Sequence, residues 1–226
     1  MLSTNPGKLV NQYSDDYVVF DLETTGLSTE IDTVIEISAI KVQNRCVVDE
    51  FSTLVNPGFH IPYSVSAVTG IMDDMVADSP MFEEALSDFL SFAGDMILVG
   101  HNIRRFDLKF LYRDAINYWG KTIGNDYVDT LILSKVYLPE LDLHNLPSLA
   151  DHYGISTAGA HRALNDCRMT QQLYERLKEE IAHPSPAALA VKKCPCCGNL
   201  LKKREGMYGE FLGCASFPEC RYTVNI

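Results

Sequence analysis

Two acidic residues, Asp21 and Glu23, lie at the end of a short apolar segment, Tyr17–Leu22, whose composition is typical of a buried strand. Residues i and i+2 of a strand point to the same face, so both carboxylates project together from one edge of a sheet. Two adjacent carboxylates repel each other unless a proton or a cation lies between them, which suits the pair to a hard divalent metal. A lone Asp-x-Glu pair is more often a strand end that meets solvent, in a chain with 30 acidic residues.

Two further segments place an acid beside the apolar stripe of a predicted helix. Asp107 lies near the inward face of the helix predicted over Ile103–Ala115, and a carboxylate there needs a partner or a metal. Asp166 lies near the first turn of the helix predicted over Leu164–Ile181. His161 precedes Asp166 by five residues, so the two can share a site only if His161 lies in the turn before this helix. Taken singly, Asp107 is also compatible with an acid at the margin of an amphipathic helix. A lone histidine before a helix, such as His161, is more often a cap or a surface residue than a catalytic one.

The three segments together carry a more specific signal than any one of them. They occur in the order Phe20–Leu27, His101–Asp107 and His161–Asp166, with Val68–Ile71 and Val128–Thr130 matching two further family segments. This set resembles the DEDDh subgroup of DnaQ-like 3′→5′ exonucleases, the family of the proofreading epsilon subunit of bacterial DNA polymerase III. The resemblance covers roughly residues 16–180. It implies an α/β, RNase H-like fold, in which a mixed five-stranded sheet with one antiparallel strand is flanked by helices.

The resemblance also implies roles for individual residues. It implies four carboxylates that hold two Mg²⁺ or Mn²⁺ ions, namely Asp21, Glu23, Asp107 and Asp166. It implies that His161 is the general base that deprotonates the attacking water, and a tyrosine in its place would mark the sister subgroup. Two cations about 4 Å apart stabilise the charge that phosphodiester hydrolysis builds on the attacking and leaving oxygens.

By the same resemblance, one segment near the first strand binds the 3′-terminal nucleotide. Its members are Thr24, Thr25, Gly26 and Leu27. Asn102 and Phe106 would line the path of the strand, although Phe106 is also compatible with a plain core position. Asp129 is either an acid behind the metal site or the N-cap of the following helix.

Four cysteines near the C-terminus have the spacing of a structural zinc site. They form a C-x2-C pair and a C-x5-C pair separated by sixteen residues, namely Cys194, Cys197, Cys214 and Cys220. Four thiolates in two short turns suit tetrahedral Zn²⁺, and so short a segment needs such a crosslink to fold. A disulfide framework is disfavoured because no secretory signal is visible, and Cys196 is predicted to be a free thiol.

The segment around these cysteines, Lys193–Val224, resembles the C-terminal zinc ribbon of type IA DNA topoisomerases. The resemblance implies binding to single-stranded DNA through cations and aromatic rings, a combination that grips phosphates and stacks on bases. The candidate DNA-binding residues are Lys202, Lys203, Arg204, Tyr208 and Tyr222. Phe211 and Phe217 are either further stacking residues or the small core of the ribbon.

The elements that must position these residues alternate between strands and helices, as expected for a mixed α/β sheet covered by helices. The predicted strands are Tyr17–Leu22, Val34–Val42, Cys46–Val55 and Met96–Gly100. The predicted helices are Phe82–Phe92, Ile103–Ala115 with Asn102 as its N-cap, Val128–Val136, Leu146–Tyr153 and Leu164–Ile181. Cys46 and Cys167 fall in apolar stretches and are predicted to be core residues.

Composition and charge divide the 226 residues into unlike parts. The chain is 46% apolar, contains no apolar run of the roughly 20 residues that span a bilayer, and is expected to be cytoplasmic. Its net charge of −11 alone argues against a nucleic-acid partner, but residues 187–226 carry six Lys or Arg against three acids. We expect a flexible leader at 1–13, an exonuclease domain at 14–181, a Pro-containing linker at 182–191 and a zinc ribbon at 192–226.

The two resemblances together imply a two-metal 3′→5′ exonuclease that releases nucleoside monophosphates from DNA ends, with single-stranded ends preferred. Replication or repair is the expected setting, and a DNA polymerase or repair complex is the expected partner, with no membrane association. An exoribonuclease that trims RNA 3′ ends is one alternative, since the same motifs serve RNA. A DNA-binding tether without hydrolytic activity is the other.

Overall fold

A computed structural model describes residues 1–159, 162–207, 209–218 and 220–226. The strands are β1 (Leu2–Ser3), β2 (Tyr17–Thr24), β3 (Val34–Gln43), β4 (Cys46–Leu54), β5 (Ile97–Gly100), β6 (Thr122–Ile123), β7 (Tyr127–Asp129), β8 (Leu201–Gly206), β9 (Gly209–Cys214) and β10 (Thr223–Asn225). The helices are α1 (Tyr63–Thr69), α2 (Asp73–Val76), α3 (Phe82–Ala93), α4 (Asp107–Trp119), α5 (Thr130–Tyr137), α6 (Leu146–His152), α7 (Ala163–Ala182) and α8 (Pro186–Ala190). None of the described helices is long and apolar enough to cross a lipid bilayer.

A five-stranded sheet in the order β4-β3-β2-β5-β7 forms the centre of the molecule. β2 runs parallel to β5, and β5 parallel to β7, while β3 is antiparallel to both of its neighbours. Alternate residues of β2 contribute to opposite faces: Val18 and Phe20 pack against α3 and α4, and Tyr17 and Val19 pack against α7. The mixed five-stranded sheet with one antiparallel strand and helices on both faces is therefore confirmed.

The structure differs from the predicted elements after β5 and around β7. The helix predicted from Ile103 begins instead at Asp107, because Asn102 adopts a left-handed φ of 64° and turns the chain sharply after β5. Asn102 is therefore not the N-cap. The helix predicted over Val128–Val136 is a three-residue strand, β7, followed by α5, so its first two residues extend the sheet.

The two cysteines predicted to be core residues have different positions. Cys167 is fully buried on α7, as its apolar surroundings indicate. Cys46 is exposed, because it begins the edge strand β4 directly after the hairpin turn at Asn44 and Arg45.

Residues 1–13, predicted to be a flexible leader, make specific contacts with β6 and β7. Leu2–Ser3 pair with Thr122–Ile123, and the Val10 amide donates to the Tyr127 carbonyl at 2.8 Å. Part of the predicted linker is also ordered, since Pro186 occupies the first turn of α8 and Ser185 caps that helix. A proline that stops one helix can begin the next, which composition alone does not reveal.

The C-terminal segment forms a three-stranded antiparallel sheet in the order β10-β9-β8. This zinc-ribbon module contacts the central domain through arginines that precede α4. Arg104 Nη1 donates to Ser216 Oγ at 2.6 Å, and Arg105 Nη2 donates to the Ala215 carbonyl at 2.9 Å. Asn11 Nδ2 donates to the Cys197 carbonyl at 3.1 Å, so the N-terminal segment contacts the same module.

Candidate active site

Three of the four predicted metal-binding carboxylates meet at the carboxyl end of β2. Asp21, Glu23 and Asp166 each place an oxygen within 4.8 Å of the other two. The fourth, Asp107, is buried at the first position of α4, and its Oδ1 accepts a hydrogen bond from the Leu22 amide at 3.2 Å. This bond places Asp107 against the backbone of β2 at Leu22, the residue between Asp21 and Glu23. An all-oxygen donor set of this kind fits hard divalent cations such as Mg²⁺ or Mn²⁺.

The electrostatics of this carboxylate cluster favour a bound cation. Burial, followed by the charges of Asp107 and Asp166, raises the pKa of Asp21 well above its ordinary value. Burial and the charge of Asp166 raise the pKa of Glu23 to about 8, and burial raises that of Asp107 to about 7. Protons therefore compete with a metal for these oxygens near neutral pH.

Glu36, a residue that the sequence analysis did not single out, anchors the start of α7. It is 2% exposed on β3 and lies directly across the strand pair from Glu23. Its carboxylate accepts hydrogen bonds from Arg162 Nη2 at 3.0 Å and from the Ala163 amide at 3.2 Å. Glu36 thereby holds the helix that carries Asp166. A charged residue in the middle of the apolar segment Val34–Val42 is the signal that could have identified it.

His161, the predicted general base, lies outside the described residues. The nearest described residue that follows it is Arg162, whose guanidinium is fixed by Glu36. Arg162 and the Ala163 amide are thus tied to β3, the strand next to β2.

A groove of about 430 Å³ opens beside the carboxylate cluster. It is lined by five residues that the sequence analysis predicted to bind substrate, namely Thr24, Thr25, Gly26, Leu27 and Phe106. The groove also contains four residues that were not predicted as site residues: Ser64, Val65, Val68 and Thr69. Val68 and Thr69 belong to the segment Val68–Ile71 that matched the family, so the signal was present in the sequence.

The loop after β2 is rigidly held and presents Leu27, which is 87% exposed. Arg113 Nη1 on α4 donates to the carbonyls of Thr29 and Asp32 at 2.9 and 2.8 Å. Asp32 in turn accepts from the Ser28 amide at 2.8 Å. Gly26 leaves no room for a side chain, since a Cβ there would lie 2.5 Å from Asp32 Oδ2. These hydrogen bonds hold the exposed apolar side chain of Leu27 at the mouth of the groove.

Asn102 does not line this groove but turns the chain after β5. Its backbone amide donates to Asp129 Oδ1 at 3.0 Å, and the Arg104 amide donates to Asp129 Oδ2 at 3.1 Å. The same carboxylate caps α5 by accepting from the Leu131 amide at 3.0 Å. Asp129 is therefore the N-cap of α5 and also fixes the Asn102 turn.

The four predicted zinc ligands come together in the ribbon. The sulfurs of Cys194, Cys197, Cys214 and Cys220 all lie within 4.8 Å of one another. The Cys194–Cys220 and Cys197–Cys214 sulfur distances are 3.7 and 3.4 Å, close to the roughly 3.8 Å edge of a tetrahedron with Zn–S bonds of about 2.3 Å. Cys196 is exposed and lies outside this group.

Hydrogen bonds around one of these sulfurs favour its thiolate form. Burial alone would raise the pKa of Cys197, but hydrogen bonds from the Asn199 amide, Cys214, Ser216 and Arg104 lower it to about 6. A thiolate is the form that binds zinc.

The candidate DNA-binding residues of the ribbon differ in their surroundings. Lys202 is exposed, whereas Lys203 pairs with Glu210 at 2.6 Å and Arg204 lies over the Phe217 ring. Phe217 is 54% exposed, so it is available to solvent rather than enclosed in a core. Tyr222 is half-buried, and Tyr208 lies outside the described residues.

Comparisons with known proteins agree with this arrangement. A family model described as "Exonuclease" matches residues 18–174, and one described as "Topoisomerase DNA binding C4 zinc finger" matches residues 191–226. The epsilon subunit of DNA polymerase III from Aquifex aeolicus is 37% identical over 171 residues, which are 76% of this chain and 84% of that one. A PolC-type DNA polymerase III from Clostridium perfringens is 39% identical over 173 residues, 75% of this chain. The chain spans only 12% of that polymerase.

Solved structures show the same fold. An exonuclease X bound to 5′-overhanging duplex DNA covers 72% of this chain with a TM-score of 0.60, 24% identity and 91% coverage of its own chain. An E. coli exonuclease I bound to a dA16 oligonucleotide covers 94% of this chain with a TM-score of 0.65, 18% identity and 55% coverage of its own chain. The carboxylate cluster at the end of β2, the mixed sheet and the two family matches lead to one assignment: the chain belongs to the exonuclease family of the DNA polymerase III epsilon and PolC domains and carries a topoisomerase-type C4 zinc ribbon.

Proposed function

We propose that this protein is a metal-dependent 3′→5′ exonuclease that releases nucleoside monophosphates from DNA, with a preference for single-stranded 3′ ends. The observation that carries the proposal is the convergence of Asp21, Glu23 and Asp166 within 4.8 Å, with Asp107 hydrogen-bonded beside them. Clustered, partly buried carboxylates are costly in a structural role, and they are the donors that a pair of divalent ions requires.

The site residues have separate roles in the proposed reaction. The four carboxylates hold the divalent ions, which when bound stabilise the negative charge on the attacking and leaving oxygens. His161 takes the proton of the attacking water, because a neutral imidazole is available near physiological pH. The groove beside Glu23 seats the terminal nucleotide, and Leu27 packs against its base. Contact with an apolar surface does not depend on base identity, as is required of an exonuclease that degrades DNA of any sequence.

DNA is the proposed substrate because two independent resemblances favour it. Relatives that are similar over the catalytic part are named for DNA polymerase III, and the ribbon matches a DNA-binding zinc finger. The ribbon would hold one Zn²⁺ through its four cysteines and contribute Lys202, Lys203, Arg204, Tyr208 and Tyr222 to binding. A role in replication or repair, in the cytoplasm and beside a polymerase or repair complex, belongs to the same proposal.

The substitution Asp21→Asn tests this proposal. It removes one ligand and a carboxyl group whose ionised form is disfavoured by burial and by the charges of Asp107 and Asp166. We expect hydrolysis of a single-stranded oligonucleotide with Mg²⁺ or Mn²⁺ to fall at least about 10³-fold. We expect the metal-free variant to unfold at a higher temperature, by about 2–4 °C for each kcal/mol of repulsion removed.

The exposed Asp88 on α3 provides the matched control. Asp88→Asn makes the same chemical change away from the carboxylate cluster and should retain full activity. Nuclease activity retained in Asp21→Asn would refute the site assignment. Oligonucleotides labelled at the 5′ or the 3′ end report direction, and a matched RNA strand reports substrate class; faster RNA cleavage would favour an exoribonuclease.

A further inference from the structure

A crevice of about 160 Å³ lies where the zinc ribbon contacts the central domain. The central domain contributes Arg105 from the turn before α4 and Lys135 from α5, and the ribbon contributes Lys202 and Arg204 from β8. The crevice exists only because the two modules are docked by the Arg104–Ser216 hydrogen bond and its neighbour from Arg105 to Ala215. It is therefore a property of the whole chain and of neither module alone.

The charges that line this crevice are strongly unbalanced. Of the described lining residues, Asp129 is the one acid, and both of its oxygens accept backbone N–H groups. Within the described ranges, no carboxylate lies within ion-pair distance of Lys135 or Lys202. Burial and the nearby charges of Lys202 and Arg105 lower the pKa of Lys135. Cations from two modules thus converge at a free-energy cost that an anion between them would offset.

The crevice opens at the same edge of the sheet as the carboxylate cluster. Asn102 and Asp129, which border it, follow the carboxyl ends of β5 and β7, and these strands run parallel to β2. Neighbouring strands are about 4.8 Å apart, so Val128 of β7 lies about 10 Å from Val19 of β2, two residues before Asp21. An extended strand a few nucleotides long covers that distance.

We propose that this crevice binds backbone phosphates of single-stranded DNA on the 5′ side of the nucleotide being removed. Arg105 and Lys135 of the central domain act together with Lys202 and Arg204 of the ribbon. The inference rests on the proposed nuclease function and extends it, because it assigns the strand a path from the carboxylate cluster across to the ribbon. Guanidinium and ammonium groups bind phosphates without reading the base, so this site adds affinity and not sequence preference.

The double variant Lys135→Gln/Lys202→Gln tests the proposal in the full-length chain. Lys8→Gln/Lys121→Gln is the matched control, because both of these lysines are exposed and lie near the opposite end of β7. Affinity for a labelled twelve-nucleotide strand is measured by fluorescence anisotropy over a salt series, without added divalent metal so that the strand stays intact. Hydrolysis of a dinucleotide, which is too short to reach the crevice, is measured with Mg²⁺.

We expect the crevice variant to bind the longer strand about tenfold more weakly, with a salt slope lower by about 1.4, since each phosphate contact on a single strand contributes about 0.7. Dinucleotide hydrolysis should be unchanged, and the control should match the unaltered protein in both assays. Unchanged affinity in the crevice variant, an equal loss in the control, or a loss of dinucleotide hydrolysis would each overturn the inference. If the unaltered protein binds the strand but does not hydrolyse the dinucleotide, the nuclease proposal fails, while weaker binding by the crevice variant alone would still support a phosphate site in the crevice.

Discussion

Glu23 and Asp107 couple the protonation of the carboxylate cluster to the stability of the protein. Their carboxyl groups have pKa values of about 8 and about 7 in the folded, metal-free chain, against ordinary values near 4. Between about pH 4 and pH 8 the folded protein keeps protons on these carboxyl groups that the unfolded chain has released. The free energy of unfolding of the metal-free protein therefore decreases as pH rises from about 4 to about 8.

This linkage predicts a pH-dependent response to Mg²⁺. At about pH 5.5 protons already neutralise the cluster, so Mg²⁺ should raise the unfolding temperature only slightly. At about pH 8.5 the carboxyl groups are ionised and repel each other, so the same Mg²⁺ concentration should raise it by several degrees more. Thermal unfolding with and without Mg²⁺, on protein that retains its zinc, measures the difference. An equal increase at both pH values would contradict the raised pKa values.

At the scale of single elements, α7 depends on a contact with β3 to present Asp166. Glu36→Gln keeps the size of the side chain but weakens its hold on Arg162 and Ala163. We expect kcat to fall about 10- to 100-fold with KM nearly unchanged, since small displacements of catalytic groups have costs of that order. The assay is run well below the unfolding temperature, where a residue that merely stabilises the fold leaves kcat unaltered.

Glu50→Gln is the control for this change, because Glu50 pairs with Arg168 on the same helix at 2.8 Å. This second pair is exposed, and exposed ion pairs contribute little to stability. Full activity in Glu50→Gln and a loss confined to Glu36→Gln would identify Glu36 as a positioning residue. Equal activity in both variants would show that the start of α7 does not need this anchor.

Element prediction succeeded where a segment had one strong pattern. β2, β3 and α7 were predicted to within two residues at each end, because apolar runs and helical stripes there are long. β7 was missed since its three residues continue directly into α5, and so short an apolar strand has no period of its own. The start of α4 was misplaced because the left-handed turn at Asn102 is fixed by Asp129, a residue distant in sequence.

The sequence predicted which residues form the site where a local motif contained them, but it did not predict which of them lie close together. Asp21 and Glu23 could be placed on one face from strand geometry, whereas their proximity to Asp166 required knowledge of the whole sheet. The anchoring role of Glu36 depends on a partner 126 residues away. Local patterns carry no information about contacts of that kind.

At the scale of the whole molecule, the zinc site should control DNA affinity separately from catalysis. Cys197→Ser removes one ligand, so zinc content should fall from about one per chain to near zero and the ribbon should unfold. Affinity for a long strand should then drop, while dinucleotide hydrolysis stays within about twofold, because the carboxylate cluster belongs to the other module. Elemental analysis and the two substrate assays measure these effects.

Cys196→Ser offers a control one residue away. Its sulfur is exposed and lies outside the group of four, so the variant should keep zinc, affinity and activity. Loss of zinc from Cys196→Ser, or full retention in Cys197→Ser, would show that the ligands are assigned wrongly.

The contact between the N-terminal segment and β7 has a consequence for self-association. An open edge of a sheet can pair with the edge of another copy and so start aggregation. On one side, Leu9 bridges to Tyr127 and the Val10 amide bonds to the same residue, so this segment covers the β7 edge. On the other side, β4 exposes Asp49, whose charge repels an identical strand, beside Glu50, which pairs with Arg168. Covering on one side and like-charge repulsion on the other keep two copies of the central sheet from joining edge to edge.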